Sequence, residues 1–112
     1  MPFDFGDVVL VSFPFTSQIA AKKRPAVVVS NSRYNRQKAD LVIMAITSQL
    51  RGSASFGEKW LSEWQSANLL KPSAVKPVFA TVEQSLIQRH LGKLSSHDQG
   101  ALRTALASVL GI

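Results

Sequence analysis

The 112-residue chain contains no cysteine. That excludes disulfides, a thiolate nucleophile and a thiolate-held zinc together, and it fits a reducing compartment such as the cytoplasm. Acidic side chains are scarce: seven Asp and Glu stand against thirteen Lys and Arg, for a net charge of +6. They are missing altogether between Asp7 and Asp40, where Lys22, Lys23, Arg24, Arg33, Arg36 and Lys38 are concentrated. A stretch of one sign beside apolar strands creates a local positive field that suits phosphate, and it suits an acidic protein equally well. Long apolar runs are missing too. The longest, Leu41 to Ile46, has the length of a strand, far from the ~20 residues of a membrane helix. The opening residues carry early acids and no basic segment, so no signal peptide is expected. These absences predict a soluble cytoplasmic protein without membrane contact. Phosphate loops, nucleophile elbows, paired carboxylates and dinucleotide fingerprints are absent as well. His90 and His97 share neither an element nor a ligand spacing, so they read as surface residues and no metal or cofactor is expected.

What is present suits one compact domain spanning residues 1–112, with an ordinary 46% of hydrophobic residues to supply its core. Val8 to Phe13 is rich in β-branched residues and reads as a strand that Pro14 stops, because proline lacks the ladder N–H. Thr16 to Lys23 reads as a loop. Pro25 opens a second strand, Ala26 to Ser30. Asn31 to Ala39 is polar and basic, a loop with room for one helical turn. Leu41 to Ile46 is almost wholly apolar and predicts a strand buried on both faces. Glu58 to Leu61 suggests a short edge strand, and Trp64 with Leu69 one face of a short helix. Pro72 and Pro77 bracket a brief extended piece, Ser73 to Lys76. Val78 to Val82 is a further strand, Ser85 to His90 a turn of helix, and Leu91 to Leu94 a last short strand. The C-terminus is the clearest helix. Ser95 and Asp98 fit a capping box, Ala101, Leu102, Ala105, Leu106, Val109 and Leu110 form one apolar stripe, and Gly111 ends it. Short strands, basic loops and one packed C-terminal helix predict a mostly β fold, a strongly bent sheet or partly open barrel.

Four segments in order carry a resemblance: Gly6 to Val11 with Phe13-Pro14-Phe15-Thr16, Lys23-Arg24-Pro25 to Ser30, Ala45-Ile46-Thr47-Ser48-Gln49, and Leu91-Gly92-Lys93-Leu94. Their order and spacing are similar to those of the MazF/PemK toxins, from about Phe5 to the chain's end. The resemblance implies a small SH3-like barrel of the MazF/CcdB type and a homodimer. It also implies a sequence-selective endoribonuclease that blocks translation by cutting single-stranded mRNA, suppressed by a cognate acidic antitoxin with which it binds DNA.

Metal-independent RNA cleavage asks little of a protein. The 2′-hydroxyl attacks the adjacent phosphorus, the 5′-oxygen leaves, and the enzyme holds the phosphate, neutralises developing charge and helps move two protons. The resemblance places Arg24 and Thr47 in these roles, with Ser48 beside them. A guanidinium grips phosphate through two parallel hydrogen bonds and stays charged. A hydroxyl at a strand's end can donate to a phosphate oxygen, although threonine there also bonds nearby backbone. Lys22, Lys23, Gln49 and Lys76 are expected to bind the RNA. The chain departs from the family where relatives carry a carboxylate before Arg-Pro or near the strand at Val78. Thr16 to Lys23 and Val75-Lys76-Pro77 contain none, so the general base stays open. Glu83 reads as a turn or surface acid, and Trp60 and Trp64 read as partial core before base-stacking platforms. Two further readings stand beside the ribonuclease. One is a gyrase-poisoning toxin of the CcdB type, which would use apolar residues at its C-terminus. The other is a non-catalytic SH3-like module that binds RNA or protein on the same basic face.

Overall fold

Side chains alternate across a strand, so an apolar strand can feed two cores at once. That is how this chain uses its three most apolar segments. The computed structural model describes residues 3–12 and 23–112, and within them β1 (Asp7–Ser12), β2 (Lys23–Val28) and β3 (Asp40–Thr47) form consecutive antiparallel pairs. Val9, Val11, Ala26, Val28, Leu41 and Ile43 point to one face, Val8, Val27, Met44 and Ile46 to the other. The helix α1 (Ser32–Gln37) links β2 to β3. Asn31 caps it, its side chain accepting from the Arg33 N–H at 2.7 Å.

Three further strands complete the sheet: β4 (Lys59–Trp60), β5 (Ala74–Glu83) and β6 (Ile87–Lys93). The strand order is β4-β5-β3-β2-β1-β6, and every pair is antiparallel. This order forces curvature. Between β5 and β6 lie four strand intervals, about 19 Å in a flat sheet. Yet Glu83 and Ile87 are joined by the 3-10 turn Gln84–Leu86 alone, and four residues reach ~14 Å when fully extended. The sheet therefore curls until its far strands approach, which is the partly open barrel expected from the sequence. The face carrying Val9, Val11, Ala26, Val28, Leu41, Ile43 and Val82 is the interior. The outer face is covered by the 3-10 turn Trp64–Ala67 and the C-terminal helix α2 (Ser96–Leu110), through Leu61, Ala67, Leu69, Leu94 and Leu102.

Several boundaries differ from the sequence reading. Ser73 to Val82 is not an extended piece followed by a separate strand. β5 runs unbroken through Pro77 because the register against β3 jumps from Ile46↔Val75 to Met44↔Phe79. This leaves two extra residues opposite Ala45, and a bulge needs no ladder N–H from proline. β6 begins at Ile87, four residues before the expected Leu91, and the expected helical turn at Ser85 to His90 contracts to Gln84–Leu86. β2 begins at Lys23, ahead of Pro25. In α2, the Ser95 hydroxyl accepts from the Asp98 N–H as a capping box requires, but the Asp98 carboxylate does not reach back to Ser95. It is fully buried and accepts from the N–H groups of Ser62 at 2.9 Å and Glu63 at 2.8 Å, pinning the 3-10 turn to the helix. The apolar stripe holds, with Leu102 buried, Leu106 packed on the core and Leu110 more than half exposed. The strand-ending role of Pro14 and the loop assigned to residues 16–22 lie outside the described residues.

Candidate functional site

β2 and β3 part company before they end. Their last pairs are Val28↔Ile43, Val27↔Met44 and Ala26↔Ala45; continued in register, Arg24 would face Thr47, but the strands have separated there. β2 stays with β1 instead, where Arg24 pairs with Val11. A cleft of roughly 520 Å³ opens in the gap. Arg24 reaches it from β2, and Thr47, Ser48 and Gln49 from the end of β3 and beyond. Arg89 reaches it from β6, where its partner Leu10 is also the partner of Pro25 across β1. Lys71 stands on the remaining wall beside Asn68, Leu69 and Leu70.

That wall is held by two local devices. Asn68 takes the left-handed conformation (φ 60°), closes the 3-10 turn, and donates from its side chain to the Leu91 carbonyl at 2.7 Å. Gly92 lets the turn approach β6: a Cβ there would lie 2.7 Å from the Ala67 carbonyl oxygen, with no flexible side chain to give way. The glycine of the Leu-Gly-Lys-Leu segment is thus a close-approach residue, as glycine permits.

The cleft is one-signed. Among the described residues, Arg24, Lys71 and Arg89 line it and no Asp or Glu does. Among the described residues, the ion pairs gather elsewhere, where Lys93 pairs with Asp4 and Asp7, and His90 lies 3.4 Å from Asp7. Thr47 makes the bond to nearby backbone that was weighed from sequence. Its hydroxyl oxygen accepts from the Gln49 N–H at 3.1 Å, which fixes the side chain and leaves the hydroxyl proton for an acceptor in the cleft. A phosphate placed there would meet guanidinium donors and a hydroxyl without a competing carboxylate.

A second hollow of roughly 370 Å³ shares Thr47 and Gln49 with the first and continues past Arg51, Ser53 and Ser55 to Lys76. Among the described residues, Glu58 is the only carboxylate along either wall. Its Oε1 accepts from the Ser55 N–H at 3.3 Å and the Trp60 indole N–H at 3.2 Å.

Of the residues singled out from sequence, Arg24, Thr47, Ser48 and Gln49 come together in the first cleft, and Lys76 joins Thr47 and Gln49 in the second. Lys23 is exposed on β2 next to Arg24 and lines neither hollow. Lys22 lies outside the described residues. Sequence reasoning missed Arg89, Lys71 and Glu58. Arg89 had a signal, the period-two series Ile87, Arg89, Leu91, which was hidden by reading a helical turn there. Trp60 and Trp64 are half-buried, with Trp64 packed on the core. His90, His97 and Glu83 are exposed, as the sequence suggested. Among the described residues, no three His, Asp or Glu converge as metal ligands would, and no helix is long and apolar enough to cross a membrane.

Comparison with known proteins adds a family and a shared fold. The family model described as PemK-like, MazF-like toxin of type II toxin-antitoxin system matches residues 4–110. No curated protein sequence matches. Among solved structures, the chain is similar to an endoribonuclease in complex with its cognate antitoxin from a mycobacterial species. That pair has a TM-score of 0.79 and 21% identity over 97% of this chain and 95% of that one. It is similar also to MazF from Deinococcus radiodurans, with a TM-score of 0.77 and 23% identity over 100% of this chain and 99% of that one. The MazE-MazF complex of the same organism gives 0.75 and 19%, over 100% and 98% of the two chains.

Proposed function

The chain belongs to the PemK-like, MazF-like family of toxins of type II toxin-antitoxin systems, and from that premise we propose that it is an endoribonuclease that cuts single-stranded RNA without a metal. One observation carries the reading: Arg24, Arg89 and Lys71 line a single cleft with the hydroxyls of Thr47 and Ser48, and no carboxylate shares it. Such a cleft is built for a phosphodiester.

Arg24 and Arg89 enter from strands on opposite sides of β1 and grip the scissile phosphate, whose charge grows as the 2′-oxygen bonds to phosphorus. Thr47, its oxygen fixed by the Gln49 N–H, hydrogen-bonds through its hydroxyl to a non-bridging oxygen, and Ser48 does the same. The 2′-oxygen gives up its proton to solvent as it bonds to phosphorus, and the 5′-oxygen leaves and takes a proton from solvent, so the products are a 2′,3′-cyclic phosphate and a 5′-hydroxyl. Gln49 and Lys76 continue along the second hollow and hold the adjoining nucleotides, and Lys23, exposed next to Arg24 on β2, adds positive field. The similar mycobacterial endoribonuclease was solved with its cognate antitoxin. For this chain too, an acidic antitoxin lying on the basic groove of a homodimer is the natural suppressor, because it competes for the same cations.

The test is cleavage of a long single-stranded RNA with a chelator present. Wild type is expected to make discrete cuts with 5′-hydroxyl and cyclic-phosphate ends. Arg24→Ala and Thr47→Ala are each expected to lower the rate by about 10²–10³, the usual cost of one transition-state donor. The cognate antitoxin at saturation is expected to suppress the cuts. No cuts from folded wild type would sink the nuclease reading. Attention would then pass to gyrase inhibition, for which the exposed Leu110 and Ile112 supply the apolar C-terminus that such a toxin needs.

A further inference from the structure

Ser55 and Glu58, on the wall of the second hollow, flank a turn whose Phe56 the fold leaves exposed. Phe56 is 80% exposed, so its ring is free of the core. Its backbone, by contrast, is fixed. The Glu58 N–H donates to the Ser55 carbonyl at 2.9 Å, closing a turn with Phe56 and Gly57 at its centre. The Ser55 N–H returns a bond to the Glu58 carboxylate, which the Trp60 indole also holds. Gly57 has φ +84°, and a Cβ there would come within 2.7 Å of a Val109 methyl carbon and 3.3 Å of Pro77, so the turn sits directly on α2 and β5. A seated turn carrying an unpacked ring is a display: the ordering of the backbone is complete before any ligand arrives.

We propose that Phe56 is a base-stacking platform for a nucleotide of single-stranded RNA in the groove, one or a few positions from the scissile phosphate. This rests on the endoribonuclease reading above. A phosphodiester chain that leaves Thr47 and follows Arg51 and Lys76 passes Ser55 and Glu58, the residues on either side of the Phe56-Gly57 pair. Every nucleobase presents a π-face to a ring so placed. The surroundings disfavour a protein partner at this spot. The hollow that Ser55 and Glu58 line is otherwise walled by Thr, Gln, Arg, Ser and Lys, whereas the centre of a protein interface is apolar.

The experiment uses an RNA oligonucleotide spanning a cut site mapped in the cleavage assay, with the attacking 2′-hydroxyl replaced by hydrogen so that it binds without being cut. 2-Aminopurine is placed at each position in turn, because its fluorescence is quenched by stacking. Wild type is expected to quench one position strongly. Phe56→Ala and Phe56→Leu lose that quench and bind about ten-fold more weakly, within the range of one base–aromatic stack, while Phe56→Tyr keeps both. If Phe56→Ala quenches and binds as wild type does, the platform does not exist. If Phe56→Leu behaves as wild type while Phe56→Ala is weak, the contact is merely apolar and stacking is overturned. A Phe56→Ala protein that binds RNA normally but loses its dimer or its antitoxin would make the ring a protein contact, which also overturns the proposal. Wild type that neither cuts nor binds RNA removes the endoribonuclease reading itself. Wild-type cutting with unaffected variants removes the platform alone.

Discussion

The acids and the bases of this protein live in different circumstances. Asp98 is wholly buried under α2 with both carboxylate oxygens bonded to backbone N–H groups. Asp7, also buried, is met by the Asp4 N–H at 2.8 Å, Lys93 at 3.2 Å and His90 at 3.4 Å. By contrast, Arg24, Lys71 and Arg89 line a cleft that no carboxylate enters among the described residues. One region uses its charges to hold elements together; the other keeps its charges for something that arrives from outside. A basic protein could scatter its excess cations over a solvated surface. Here Asp7 and Asp98 are committed to the fold, and among the described residues no acid lines the cleft to cancel its positive field.

The largest expected effect comes from attacking the committed side. Asp98→Ala strands the Ser62 and Glu63 N–H groups in a buried place and is expected to cost about 2–4 kcal/mol in urea unfolding. The protein that remains folded should cut RNA at the wild-type rate per molecule. Arg89→Ala is the mirror image. Its stability should stay within about 0.5 kcal/mol of wild type, as for a surface substitution, while cleavage falls by about 10²-fold or more. An Arg89→Ala protein that is destabilised but fully active would erase the distinction between the two regions.

Gly92→Ala probes the seam between them. The added methyl meets the Ala67 backbone at 2.7 Å, so β6 or the 3-10 turn must shift, at an expected cost of about 1–3 kcal/mol. The same shift displaces Asn68 and Lys71, so KM for RNA should rise as stability falls. Unchanged KM beside lost stability would mean that the cleft wall follows the strand as a rigid unit.

How much of this could be read from the residues depends on how local each feature is. The apolar strands at Val8, Ala26 and Leu41 were legible because their β-branched runs have no other good use, and Ser95 and Gly111 marked the last helix at both ends. Pro77 misled, since a proline reads as a strand breaker and the bulge that tolerates it is a property of the β3 pairing. Asp98 had the right position for a capping box, yet its carboxylate answers to residues 35 and 36 positions away. The candidate site divides in the same way. Arg24 and Thr47 stood out through the family resemblance and their places at strand ends. Arg89 and Lys71 join them only because the sheet curls and the 3-10 turn folds onto β6, and neither event is written near those residues.

The smallest effect is also the most selective. Lys71 is an exposed residue on the cleft wall, and Lys71→Ala should leave stability within about 0.5 kcal/mol of wild type. Its contribution to RNA binding is that of a point charge, so it appears in salt dependence before it appears in chemistry. Each cation that touches a single-stranded phosphate chain contributes about 0.7 to the slope of log affinity against log salt. Lys71→Ala should lower the slope by about that amount and leave the position of the cuts unchanged. Lys38 is exposed by the separate hollow between α1 and the 3-10 turn Gln84–Leu86, and Lys38→Ala should leave the slope as it was. Equal losses from the two substitutions would mean that RNA feels the protein's whole charge and not the cleft, and the contrast between its committed acids and its free cations would then have no bearing on binding.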